Sequence, residues 1–474
     1  GSVRDLEGWH GQLYARLDGA SASAFRTWAP WAHDAVREGE GSLRFWLDVQ
    51  AGRPVAIQGD MVARGVHMAL ADDRPVMRFD RLSGRAGWRQ GRDAQVLFVE
   101  GLRFAGEGMA LSEPANVKAR LTPAEDGRLR AALIEASGLR LEAFTALASG
   151  IPMPRLVHDW LDRLKPRGFI DTAQIDWQGP ERFSLKVWFS GLGLDGHGVL
   201  PGFSGLDGHI LANQDGGEAV LESTDLRYDH PHVFRQPLAF TRLDAPLVWE
   251  RLPQGGYRFG ARRARIGNAD LDLMLDGHID LPAKGAPVAH LVAHLPRGAG
   301  NAVWRYLPRN VHDDAHAWLK RGIVAGEGRD ARMVLKGPLD RFPFVDGGGE
   351  FHVGLDVHNA TIDYAPGWPR LSGVEGRLEF KGLGMRIDAR RGQVLGIELG
   401  PVQGEIADIH HHDSTTPLNF VGVARGRTEA FLEFIRQSPV DVHTGHFARR
   451  LRAHGEGELQ LRLSLPLHLS LIHI

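Results

Sequence analysis

Leu271-Asp272-Leu273-Met274-Leu275-Asp276 decides how this chain folds. Leucine holds every second position. Side chains of an extended strand alternate between faces, so this run carries an oily face and a wetter one. The same rhythm runs through Leu43 to Val49, Leu185 to Phe189 and Phe351 to Val357. It is longest near the end, where Leu459, Leu461, Leu463, Leu465, Leu467, Leu469 and Leu471 alternate with mostly polar residues. Such strands belong to antiparallel sheets with one side covered and the other wet. Asp207-Gly208, Asp215-Gly216-Gly217, Asp276-Gly277 and Pro366-Gly367 read as turns between them. Pro466 assigns the last run to a sheet edge. At this spacing the chain is expected to hold on the order of 30 strands.

A long unit occurs twice. Trp160-Leu161, Gly168-Phe169-Ile170, Trp177-Gln178-Gly179-Pro180 and Arg182-Phe183 are matched by Trp318-Leu319, Gly322-Ile323-Val324, Leu335-Lys336-Gly337-Pro338 and Arg341-Phe342. Phe203-Ser204-Gly205-Leu206-Asp207-Gly208 returns as Leu371-Ser372-Gly373-Val374-Glu375-Gly376, with a shorter echo at Leu82-Ser83-Gly84. Repeated units build extended bodies in which each copy covers its neighbour's apolar face. The expected organisation is a β segment over 1–150, a first repeat over 151–296 and a second over 297–474, joined in one continuous body.

Composition narrows the function. The 474 residues are 43 % hydrophobic with a net charge of −2, enough for a core and without the basic excess that nucleic acid demands. Cysteine is absent, which removes disulfides and thiol chemistry. No apolar run is long enough to span a bilayer, and Gly1-Ser2-Val3-Arg4-Asp5 is not a signal peptide. Both ends look cut, so anchoring segments are expected outside this sequence.

Short helices are expected over Ala22 to Val36, Leu141 to Ala148, Pro154 to Leu164, Asn301 to Arg321 with a break near Pro308, and Thr428 to Gln437 with Thr428 as N-cap. The two Trp-Leu pairs should anchor helices onto the sheet. His158-Asp159 and His312-Asp313-Asp314 suit surface or capping roles. Gly191-Leu192-Gly193-Leu194-Asp195-Gly196 fits a dinucleotide fingerprint in spelling only, since Gly198 and Pro201 forbid the helix that must follow. His410-His411-His412-Asp413 reads as a polar loop rather than a metal site. Ser204 and Ser372 lie outside any G-x-S-x-G elbow and read as turn residues beside a positive-φ glycine. Nothing singles out catalytic residues, a metal site or a cofactor.

Helix, Trp-Leu, Gly-Ile, strand and Gly-Pro recur in that order. With Trp368-Pro369-Arg370-Leu371-Ser372-Gly373-Val374-Glu375-Gly376-Arg377-Leu378-Glu379-Phe380 and Phe431-Leu432-Glu433-Phe434-Ile435-Arg436-Gln437-Ser438-Pro439, this resembles the YhdP branch of the AsmA-like envelope proteins. The resemblance implies an inner-membrane anchor, a periplasmic body similar to the repeating β-groove bridge proteins, and glycerophospholipid moving towards the outer membrane without catalysis. The anchor would lie outside this chain.

The residues are compatible with that expectation. Alternating strands in a curled antiparallel sheet would present one continuous apolar face, and acyl chains gain about 0.8 kcal/mol per buried CH₂. Near-neutral charge would avoid trapping anionic head groups. The candidate groove lining is Leu185, Val187, Phe189, Leu271, Leu273, Leu275, Phe351, Val353 and Leu355. The competing expectation is a structural or assembly module of the envelope, with a closed core that docks protein partners.

Overall fold

The computed structural model describes residues 9–22, 36–69, 75–106, 111–148, 150, 155–198, 200–408 and 417–466. Most of the helix expected over Ala22 to Val36, the triple histidine at 410–412 and the last leucines lie outside the described residues. The chain is 64 % strand and 13 % helix, a mainly β protein. Among the described residues there are 24 strands, fewer than the rhythm suggested because many run to 10–16 residues. The chain divides into two units, Gly1–Tyr228 and Asp229–Ile474.

In the first unit the strands β1 (Gly11–Ser21), β2 (Val36–Gln50), β3 (Arg53–Met68), β4 (Met77–Gln90), β5 (Gln95–Ala105), β6 (Ala115–Pro123), β7 (Leu129–Arg140), β8 (Arg167–Trp177), β9 (Phe183–Leu194), β10 (Gly202–Asn213) and β11 (Gly216–Ser223) follow one another. Each pairs antiparallel with the next. After the short β12 (Leu226–Asp229) and β13 (Leu238–Phe240), the second unit repeats this meander from β14 (Arg242–Arg251) through β15 (Gly256–Gly267), β16 (Leu271–Pro282), β17 (Val288–Ala299), β18 (Ile323–Pro338), β19 (Glu350–Ile362), β20 (Leu371–Lys381), β21 (Gly384–Val394), β22 (Ile397–Ile406) and β23 (Pro417–Arg427) to β24 (Glu456–Pro466). Among the described strands β24 pairs with β23 alone, as Pro466 requires.

Bulges gather on one side of each unit. Gly19, Gly65, Gly101, Gly138 and Gly191 have φ between 58° and 72° and sit in the C-terminal parts of β1, β3, β5, β7 and β9. These strands run the same way, so the five glycines share one flank. Arg263, Asp330, Asn359 and Gly373, at φ 50°, 48°, 47° and 58°, occupy the matching flank of the second unit. A bulge bends its strand and increases local twist, so an aligned series creases the sheet along a line. The displaced N–H groups are accepted by the neighbouring strand: Gly101 donates to Asn116 Oδ1 at 2.8 Å, Gly191 to Asp207 Oδ1 at 2.6 Å and Arg263 to Asp276 Oδ1 at 2.8 Å.

This corrects the reading of Asp207-Gly208 and Asp276-Gly277 as turns, because both lie inside strands. The aspartate clamps the bulge opposite. The glycine lets the next strand approach: a Cβ on Gly208 would stand 2.1 Å from the Val220 carbonyl oxygen, and one on Gly277 2.0 Å from that of His290. Ser204-Gly205 and Ser372-Gly373 are likewise strand segments beside register shifts, not turns. Positive φ at glycine serves both purposes, and only the partner strand distinguishes them.

Five helices lie on the same flank as the bulges. They are Leu141–Ala148, Arg155–Leu164, Gly300–Tyr306 in 3-10 form, Asp313–Gly322 and Thr428–Arg436. His312 caps the helix Asp313–Gly322 by accepting the Asp314 N–H at 3.3 Å. Thr428 is not a cap: Arg427 holds that position, and the Thr428 hydroxyl donates to the Gly455 carbonyl at 3.0 Å. Trp318 anchors its helix, donating from Nε1 to the Tyr364 carbonyl at 3.0 Å. Trp160 does not, and stays 43 % exposed.

Candidate functional site

In the first unit the ladder registers place apolar residues opposite one another without interruption. One row runs Leu13, Leu47, Ile57, Trp88, Leu97, Ala119, Ile134, Ile175, Leu185, Ala212, Gly217. The next row on the same face runs Ala15, Phe45, Gly59, Ala86, Val99, Val117, Ala136, Ala173, Val187, Ile210, Ala219. The row between them faces the other way: Tyr14, Trp46, Gln58, Gly87, Phe98, Lys118, Glu135, Gln174, Lys186, Leu211, Glu218. Eleven strands thus carry two adjoining apolar rows, backed by a row that turns mainly polar from β6 onward. The small residues Gly59, Ala86, Ala136 and Ala173 hollow the middle of this lane.

Burial separates the lane from the core. Val66, Phe79, Leu82, Phe104 and Ala143 form a sealed cluster on the bulge flank, where Leu147 of the helix Leu141–Ala148 packs against them. In the lane only Ala219 is buried; every other member of both rows keeps part of its surface in water, and Leu13 and Leu97 are 46 % and 42 % exposed. The lane is therefore an uncovered apolar surface beside a conventional core.

The second unit carries comparable rows, with more of their members covered: Ala264, Ala293 and Ile406 are 3 %, 7 % and 5 % exposed. Leu247, Ala261, Gly277, Leu291, Leu335 and Phe351 form one row. Ala264, Leu275, Ala293, Met333, Val353, Phe380, Met385 and Ile406 form another, and Leu355, Leu378, Ile387, Gly404 and Phe420 a third. Helix Thr428–Arg436 seals the bulge flank through Phe431 and Phe434, against Val394, Ile397 and Ala424.

All nine predicted lining residues fall on the apolar faces. Leu185, Val187, Leu275, Phe351, Val353 and Leu355 stand within the rows and are partly accessible. Leu273 pairs with Ile266 at the margin of the lane. Phe189 at 3 % and Leu271 at 9 % exposure belong to the covered flank, where the protein's own side chains occupy their surfaces. The strand rhythm missed Ala136, Ala173 and Gly59, because small residues carry no hydrophobic signal; their partners' register is what reveals them.

The opposite face is wet and charged. Asp60 lies between Arg44 at 3.6 Å and Arg85 at 2.6 Å, and the Arg85 hydrogen bond holds its carboxyl below the ordinary value. Arg258 grips Asp280 at 2.7 Å, with the same effect. His278 stacks on His290 at 4.8 Å; burial and then Arg258 push its pKa down. A depression of about 650 Å³ is lined by Phe98, Lys118, Glu135, Gln174 and Trp188 among others, most of them polar-face residues. Among the described residues no helix is long and apolar enough to cross a membrane.

An open antiparallel sheet with an accessible apolar lane beside a sealed core defines the class of fold. The profile of the YhdP protein family matches residues 2–472, and the chain belongs to that family. It is 24 % identical over 503 residues to the "Intermembrane phospholipid transporter YhdP" of Escherichia coli (strain K12), an alignment covering 99 % of this chain and 39 % of that protein. No solved structure matches.

Proposed function

We propose that this chain is a section of a passive phospholipid conduit. Acyl tails lie along the lane and head groups stay in water. The observation that carries the reading is the pair of unbroken apolar rows across eleven strands, left accessible while a separate core is sealed beside them. A lipid that moves by one strand spacing, about 4.8 Å, leaves one set of Leu, Val and Ala contacts for another much like it. Sliding therefore changes the energy little. The relative's name supports phospholipid as the cargo. Passage through the periplasm towards the outer membrane, and anchoring by segments outside this chain, extend the same proposal. The reading assigns tail contact to Leu185, Val187, Leu273, Leu275, Phe351, Val353 and Leu355, with repeats 151–296 and 297–474 as successive stretches of one conduit.

The test is native mass spectrometry of the purified chain. Bound phospholipid is expected, and it should be lost on charged substitution at Val187 and Leu273. A lipid-free preparation that also refuses added phospholipid overturns the proposal.

A further inference from the structure

The connection from β23 to β24 is a built platform. Its helix Thr428–Arg436 sits on the apolar face of the sheet through Phe431 and Phe434, and Phe434 also meets Trp368 at 5.8 Å. The loop beyond it therefore rises on the side of the lane. Arg436 pins that loop, donating to the Ala448 carbonyl at 3.1 and 3.0 Å and to the Leu451 carbonyl at 3.0 Å. Asp441, 2 % exposed, pins it again by accepting from His446 Nδ1 and Arg449 Nε, each at 2.8 Å.

This fixed loop displays an unusual surface. Val442, Phe447 and Leu451 are 68 %, 42 % and 45 % exposed. Arg450 and Arg452 are exposed beside them and have no ion-pair partner among the described residues. From Val442 to Gly455 the sequence holds no Asp or Glu, although acids make up 58 of the 474 residues. Exposed apolar side chains interleaved with unpaired guanidinium groups match the boundary of a lipid, where tail gives way to phosphate.

We propose that this loop binds the phosphate-bearing head group of an anionic glycerophospholipid whose tails lie on the apolar face. The proposal rests on the conduit reading and deepens it. Arg450 and Arg452 hold the phosphate oxygens, while Phe447 and Leu451 shelter the glycerol end of the tails. The near-neutral charge of the whole chain conceals a local station at which a sliding lipid pauses according to its head group.

The test compares two fluorescent probes with identical tails, phosphatidylglycerol and diacylglycerol, on the intact chain and on the double variant Arg450→Ala/Arg452→Ala. Each guanidinium near an anionic lipid contributes roughly fivefold, so the variant should bind phosphatidylglycerol about 25-fold more weakly. Diacylglycerol affinity should not change. Both arginines are exposed, and an unchanged melting temperature will verify the fold. If both proteins bind both probes equally, this proposal fails and the conduit reading stands. If the intact chain binds neither probe, both fail. Displacement of phosphatidylglycerol by equimolar inorganic phosphate would mark a plain anion site and also overturn the proposal.

Discussion

Val187 and Leu211 offer a paired experiment on the lane. Val187 sits in an apolar row between Ala173 and Ile210, whereas Leu211 sits on the opposite face between Lys186 and Glu218. Both are partly exposed. Changing either to lysine removes an apolar side chain at a cost of about 1 kcal/mol in stability. The consequences for lipid should differ. A lysine on a lipid-facing strand position costs about 2–4 kcal/mol at full depth. Val187 lies in a lane that water reaches, so the ammonium group can snorkel and the lower figure applies. About 2 kcal/mol is roughly thirtyfold in rate, at tenfold per 1.36 kcal/mol. V187K should therefore transfer a fluorescent phospholipid between donor and acceptor vesicles roughly thirtyfold more slowly than the unaltered chain, and L211K at the unaltered rate. Equal rates for V187K and the unaltered chain, or equal slowing by both variants at matched melting temperatures, would refute the lane as the path.

Other consequences can be measured on stability alone. Gly191→Ala meets open space at φ +60°, so only the left-handed backbone resists, by about 1–2 kcal/mol. Gly208→Ala drives a Cβ to within 2.1 Å of the Val220 carbonyl oxygen and should cost well over 2 kcal/mol in denaturant unfolding. Trp318→Ala should cost about 2 kcal/mol through lost packing and the bond to Tyr364, and Trp160→Ala under 1 kcal/mol. Asp60 binds its proton less readily folded than unfolded. Its stabilisation is complete above the ordinary value of 3.8 and is lost as pH falls from there through the folded value. The melting-temperature gap between the native chain and Asp60→Asn should therefore hold at pH 6 and close on acidification below pH 4; a gap independent of pH would exclude the Arg85 pair as its source.

Much of this architecture could be read from the residues. Period two ties sequence position to sheet face, so Leu185 to Phe189 and Phe351 to Leu355 disclosed both strand and side. Pro154 and Pro439 bracket helices that formed within a residue or two of expectation. The bulges stayed hidden. Asp-Gly and Ser-Gly favour tight turns and bulged strands alike, and the partner strand makes the choice, as β17 does for Asp276-Gly277 through the His290 carbonyl. The accessible floor of the lane was equally hidden, because alanine and glycine leave no trace in a hydrophobic rhythm. The Trp-Leu pairs share a spelling, yet of their two indoles only that of Trp318 meets a carbonyl among the described residues, that of Tyr364.

The creases described above have an evolutionary corollary. Curvature here is encoded in single left-handed residues, three of them held by the aspartate or asparagine facing them. Cross-section is thereby decoupled from strand count. Hairpins can be duplicated or deleted in register without redesigning any central nucleus, so selection can adjust the reach of such a scaffold as freely as a tailor lets down a hem.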